Sequence, residues 1–171
     1  MFKIKNKKGM SLIELVVLIA VIGIMSSISV SSLVNSKRNT ELEVASEELV
    51  AVLREAQNYA LTGKNIVPGC SNYRVNLTNA SSNFSLRTYT TPGGSVLCPV
   101  MNSNYVFKSG VISSSPTGAV NFMAPHGAVT ITTGSVSGTW HVITLSKSGN
   151  SYYVCLNTAG LIKKSPNATC N

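Results

Sequence analysis

The chain contains no aspartate, and its six glutamates, Glu14, Glu41, Glu43, Glu47, Glu48 and Glu55, all lie in its first third. Beyond Glu55 there is no side-chain carboxylate at all. Chemistry that needs two carboxylates around a scissile bond therefore has no partners there. The two histidines, His126 and His141, have no acid nearby in the sequence to orient them, and no glycine-rich phosphate cradle is present. These absences argue against an enzyme and imply no cofactor. The single tryptophan, Trp140, and both histidines read as structural or surface residues.

Zinc-ligand spacing is also missing, because no two cysteines lie two to four residues apart. The four cysteines, Cys70, Cys98, Cys155 and Cys170, allow three disulfide pairings. Cys70 with Cys98 and Cys155 with Cys170 are the pairs nearest in sequence and are favoured. A zinc site that also uses His126 and His141 is the competing reading. An oxidising, exported environment suits the disulfides.

The cations form the counterpart to this lack of acid. The formal net charge is +8, and Lys64, Arg74, Arg87, Lys108, Lys147, Lys163 and Lys164 follow the last glutamate. A polyanion would be drawn to such a segment through its whole field. The alternative is a basic protein whose scattered charges keep it soluble.

The chain opens with a basic leader, Lys3, Lys5, Lys7 and Lys8, ending at Gly9. Residues 15–25 then read LVVLIAVIGIM without one polar side chain. A secretory signal is cut after its apolar region, whereas the plausible cut here precedes it, so the apolar segment stays attached. Helix is expected without a break from residue 11 to about 61. Past the apolar part, Leu42, Ala45, Leu49, Val52, Leu53, Ala56 and Ala60 recur at three and four, the stripe of an amphipathic helix. Glu41, Glu43, Glu47, Glu48 and Arg54 fall on the other faces, and Gly63 is a stop signal. Ser26, Ser27, Ser29, Ser31 and Ser32 loosen the first half or let helices pack closely.

The remainder reads as β structure, with strands expected at 73–78, 84–90, 119–124, 128–133, 139–146, 151–156 and 161–163. Gly149-Asn150 is expected to turn a hairpin. Pro92-Gly93-Gly94 and Ser113-Ser114-Ser115-Pro116 read as exposed loops. The organisation is thus a leader at 1–9, an apolar helix at 10–32, an amphipathic helix at 33–62 and a β-rich head at 63–171.

The stretch Gly9-Met10-Ser11-Leu12-Ile13-Glu14 resembles the class III prepilin signal of type IV pilins and type II secretion pseudopilins. Met10 stands where that family usually has phenylalanine. The resemblance implies an α+β pilin fold, with a long helix packed on an antiparallel sheet. It also implies cleavage between Gly9 and Met10 by a prepilin peptidase and methylation of the new amine. The chain would then reside in the bacterial inner membrane, head in the periplasm, until it joins other pilins in a filament at the cell surface. Glu14 would pair with the Met10 amine of the adjacent subunit. Four helical residues rise about 6 Å, so a stagger of one subunit sets amine against carboxylate.

A looser resemblance, to the GspH/FimT minor pilins, rests on residues 49–61 (LVAVLREAQNYAL), Gly63, Trp140, Tyr152-Tyr153-Val154-Cys155 and Gly160 followed by a basic pair. FimT-like pilins carry a Gly-Arg-x-Arg segment associated with binding DNA in natural transformation. Here Gly160 matches, Leu161 and Lys163 replace the two arginines, and Lys164 adds a charge. Double-stranded DNA is accordingly a candidate partner, held by Lys163 and Lys164 with Arg74, Arg87, Lys108 and Lys147 if these share a face. The rival reading is a GspH-like subunit that primes pilus or type II secretion pseudopilus assembly without DNA.

Overall fold

The structure, a computed structural model, describes residues 11–64, 67–90 and 97–170; the side chains at 27–31, 97, 99 and 100 also lie outside the described set. Gly9, Met10 and the Pro92-Gly93-Gly94 loop fall outside it. The chain divides into two compact units, 1–37 and 38–171. The boundary falls within the one long helix, α1 (Leu12–Thr62).

In the first unit the helix begins at the expected place, with the amide of Leu15 donating to the carbonyl of Ser11 at 3.2 Å. Its leucines, valines and isoleucines from Leu12 to Met25 are exposed. The backbone is helical through the serine-rich stretch. Ser26 Oγ turns back onto the carbonyl of Ile22 at 2.8 Å, a local bond that serine makes readily within helices.

In the second unit every residue of the expected stripe is buried, from Leu42 and Ala45 through Leu49, Val52, Leu53 and Ala56 to Ala60. Val50 and Ser46 join them, and the buried Ser46 hydroxyl is satisfied by the carbonyl of Glu43 at 2.6 Å. The helix stops as expected. Gly63 takes φ +65°, which glycine adopts without a Cβ penalty, and the amide of Lys64 caps the carbonyl of Tyr59.

Among the described residues ten strands follow: β1 (Asn72–Leu77), β2 (Asn83–Tyr89), β3 (Leu97–Val106), β4 (Ile112–Ser113), β5 (Gly118–Met123), β6 (Ala128–Ile131), β7 (Ser135–Ser137), β8 (Trp140–Lys147), β9 (Asn150–Asn157) and β10 (Ile162–Ser165). They form two antiparallel sheets. The first has the order β3-β2-β1-β5-β6; the second has β10-β9-β8-β4, with β7 also pairing β8. All seven expected strands are present. The three additional ones lack a sequence signal: β4 and β7 are very short, and β3 carries Pro99 and the polar Asn102 and Asn104. Proline is tolerated in β3 because that strand lies at a sheet edge.

Two local expectations change. Lys147 pairs with Asn150, so the hairpin turns on Ser148 and Gly149, both at positive φ, rather than on Gly149-Asn150. That is the backbone of the turn type whose twist matches the strands. Ser113 and Ser115 are buried rather than in an exposed loop. The amide of Ser113 reaches the carbonyl of Ser81 in the connection between β1 and β2, and Ser115 Oγ accepts from the amide of Thr144 in β8. The cysteines pair as favoured, Cys70 with Cys98 and Cys155 with Cys170.

The inner faces of both sheets close on the helix stripe. Tyr73, Val75, Leu77, Phe84, Leu86, Val120 and Phe122 come from the first sheet, and Ile143, Leu145, Val154, Leu156 and Ile162 from the second. A smaller cluster of Val142, Cys155 and Cys170, flanked by Trp140 and Tyr153, lies on the outer face of the second sheet. Removing the fully buried Leu53 side chain should therefore cost about 2–5 kcal/mol. Val44→Ala, at a position 46% exposed on the same helix, should stay within about 0.5 kcal/mol. Denaturant unfolding of the two variants checks this, and equal losses would contradict the packing.

Candidate functional site

The alternation of side chains along a strand decides where each basic residue of the second sheet points. On β8, Ile143 and Leu145 face the helix, so Lys147 does too. On β10, Ile162 faces the helix, so Lys164 shares that side. Both lysines lie where the sheet meets the glutamate-bearing flanks of α1. Lys147 Nζ meets Glu41 Oε2 at 2.5 Å, with both side chains about four-fifths buried. Lys164 Nζ lies 2.5 Å from Glu47 Oε1 and 3.1 Å from Glu43 Oε1. Its hydrogen bond to Glu47, and then that to Glu43, raises the Lys164 ammonium above the usual lysine range. Lys108, in the short 3-10 turn after β3, approaches Glu48 at 3.7 Å.

These contacts correct the picture of an unopposed cationic head. The sequence keeps all acid before residue 56, but folding lays that helix along the strands and neutralises three of the six candidate cations. Lys163, one position from Lys164, points the opposite way. It is opposite Cys155 in the ladder, and its ammonium sits 4.8 Å from the centre of the Trp140 ring.

The loop carrying Gly160 sets this register. Gly160 has φ +84°, and a Cβ there would come within 2.6 Å of Gln57 Nε2. Gln57 in turn donates to the Gly160 carbonyl at 3.1 Å, fastening the loop to α1. Asn157 Oδ1 accepts the Leu161 amide at 2.8 Å and closes the turn.

Arg74 and Arg87 form a second, separate group. They are directly paired across β1 and β2, on the face of the first sheet turned away from Val75, Leu86 and the helix. The six candidates thus divide among three places: the helix-facing rim (Lys147, Lys164, with Lys108 nearby), the outer face of the second sheet (Lys163) and the outer face of the first (Arg74, Arg87). Sequence reasoning missed the partners: Glu41, Glu43, Glu47 and Glu48, Trp140 under Lys163, and Asn121 and Tyr89 at Arg74. The strand alternation was the available signal for the lysines.

Glu14 lies in the first turn of α1 amid exposed Leu12, Ile13, Leu15, Val16 and Val17. Among the described residues, no helix is long and apolar enough to cross a membrane. Met10 and the side chains of 27–31, all within the expected 10–32 anchor, lie outside those residues. No cluster of three or more metal-ligating side chains occurs among the described residues.

No family model matches the chain, and no curated protein matches it either. Among solved structures it is similar to the minor pseudopilin EpsH of the type 2 secretion system of Vibrio cholerae. That similarity has a TM-score of 0.47 and 9% sequence identity, and it covers 73% of this chain and 96% of that one.

Proposed function

We propose that the protein is a minor pilin or pseudopilin, held in the inner membrane and then in a filament by residues 10–32, with the second unit as its head. One observation carries the reading: an unbroken helix whose first turns expose only apolar side chains around a single carboxylate, Glu14. Such a surface suits lipid first and neighbouring helices later. A carboxylate in either setting needs a partner. The amine freed by cleavage before Met10 is the group the prepilin-like motif supplies.

DNA capture is the second reading. From Arg38 onward the chain carries nine lysines and arginines against five glutamates, a net side-chain charge of +4. Lys163 is exposed and pairs with no carboxylate among the described residues. Binding on this basis is weaker than six free cations would give, because three of them already face glutamates.

Glu14→Ala should leave processing and membrane insertion intact. Incorporation into sheared filaments should fall about a hundred- to a few thousandfold, the equivalent of the roughly 3–5 kcal/mol that breaking a buried pair costs. Immunoblots of membrane and filament fractions read both, and normal incorporation refutes the pairing. For DNA, the full chain in detergent micelles should retard duplex of arbitrary sequence at low salt. Each phosphate contact should add about −0.9 to the log–log salt slope. Lys163→Ala should weaken this binding, whereas Glu43→Gln combined with Glu47→Gln should strengthen it by releasing Lys164 from both of its partners. No retardation by the wild type, or no effect of either change, removes the DNA reading.

A further inference from the structure

The free edges of the two sheets are not equally protected. Native edges are usually kept short or set with lysine, which discourages further pairing. Here β4, β6 and β7 are short, and β10 presents Lys163 and Lys164. At the end of the first sheet, β3 instead runs for 10 residues without a charged side chain. Residues 102–106 of β3 pair in regular register with 83–87 of β2. The amide of Phe107 donates to the carbonyl of Ser82 at 2.8 Å and continues that register. Bonded and non-bonded pairs alternate along an antiparallel ladder. The N–H and C=O groups of Asn102, Asn104 and Val106 therefore point away from β2, toward the open edge. Both asparagines are exposed, and so is Val106, by 59%. Among the described residues no strand lies on that side.

The two faces beside this edge differ. On the inner face Tyr105 borders a recess of about 330 Å³, lined also by Ala51, Val52 and Phe84. On the outer face Arg87 lies opposite Asn102 in the ladder. Its Nη2 leans toward the edge and makes only a long 3.5 Å contact with Asn104 Oδ1. A guanidinium keeps its proton in a protein, and Arg87 meets no carboxylate among the described residues. Glu41, Glu43, Glu47 and Glu48 face lysines. Glu55 accepts the hydroxyls of Tyr59 and Tyr105.

We propose that the β3 edge docks an extended segment of another protein, one that alternates acidic and apolar side chains and adds a strand to the first sheet. Its backbone bonds to Asn102, Asn104 and Val106. Its apolar side chains turn inward to the recess beside Tyr105. An acidic side chain on the other face, one strand spacing of about 4.8 Å beyond Asn104, reaches the Arg87 guanidinium. Main-chain bonds supply the affinity of such pairing, and the alternate side chains supply its selectivity. A second β3 is the wrong partner, because that strand has no carboxylate to offer.

The test mixes full-length protein in detergent micelles with a short capped peptide of alternating glutamate and valine, and reads amide hydrogen exchange residue by residue by NMR. Exchange at Asn102, Asn104 and Val106 should slow about tenfold when the peptide stands at about ten times its dissociation constant. Ser103 and Tyr105, whose amides face β2, should not change. Arg87→Gln should weaken the glutamate peptide about tenfold and leave a serine-for-glutamate analogue unaffected. Asn104→Pro removes an outward N–H but no bond to β2. Protection at Asn102 and Val106 should then be lost. The Arg87 variant, which leaves the ladder intact, decides the matter if the proline unfolds the strand. No slowing in wild type at millimolar peptide overturns the proposal, as does equal binding of a lysine-for-glutamate analogue. Protection that appears on concentrating the protein without peptide also overturns it, because the edge then belongs to a second copy.

Discussion

The arrangement depends on one burial event: the apolar stripe of residues 42–60 can leave water only by lying across the inner faces of both sheets. Leu49, Leu53, Ala56 and Ala60 are completely covered there. The two alanines bring the helix backbone close to the strands, and the leucines fill the space between Val75, Leu86, Ile143 and Leu156. Among the described residues no other element covers the inner apolar face of either sheet.

The charge pattern follows from that packing. An amphipathic helix carries its polar residues at the margins of the buried stripe, so docking sets Glu41, Glu43, Glu47 and Glu48 against whatever lies at the sheet rims. Lys147, Lys164 and Lys108 lie there. The largely buried Lys147–Glu41 pair joins residues 106 positions apart, where screening by water is reduced. The exposed pairs of Lys164 and Lys108 add little stability. Their consequence is for recognition, since they remove three cations from the surface offered to a polyanion.

The outer faces differ in kind. On the second sheet the Cys155–Cys170 disulfide brings the C-terminal segment over Val142, and Lys163 lies over Trp140. On the first sheet the outer face is polar yet largely buried, with Arg74, Arg87 and Asn72 short of partners. Lys163 on the outer face of the second sheet, and Arg74 and Arg87 on that of the first, meet no carboxylate among the described residues, so unpaired positive charge lies on both outer faces.

Local periodicity determined much of this protein from the sequence alone. The helix and its buried residues, the Gly63 stop, seven strands and the hairpin between β8 and β9 each rest on spacings of two, three or four residues. The disulfides matched their nearest neighbours in sequence. Strands β3, β4 and β7 were not legible, because an edge strand with proline and asparagine, or one of two or three residues, is fixed by its neighbours rather than by its own pattern. The electrostatics were not legible either. Glu41 and Lys147, or Glu47 and Lys164, are more than a hundred residues apart, and only the docking of α1 on the sheets brings them together. The pairing of Arg74 with Arg87 was decided by strand register, which composition cannot express.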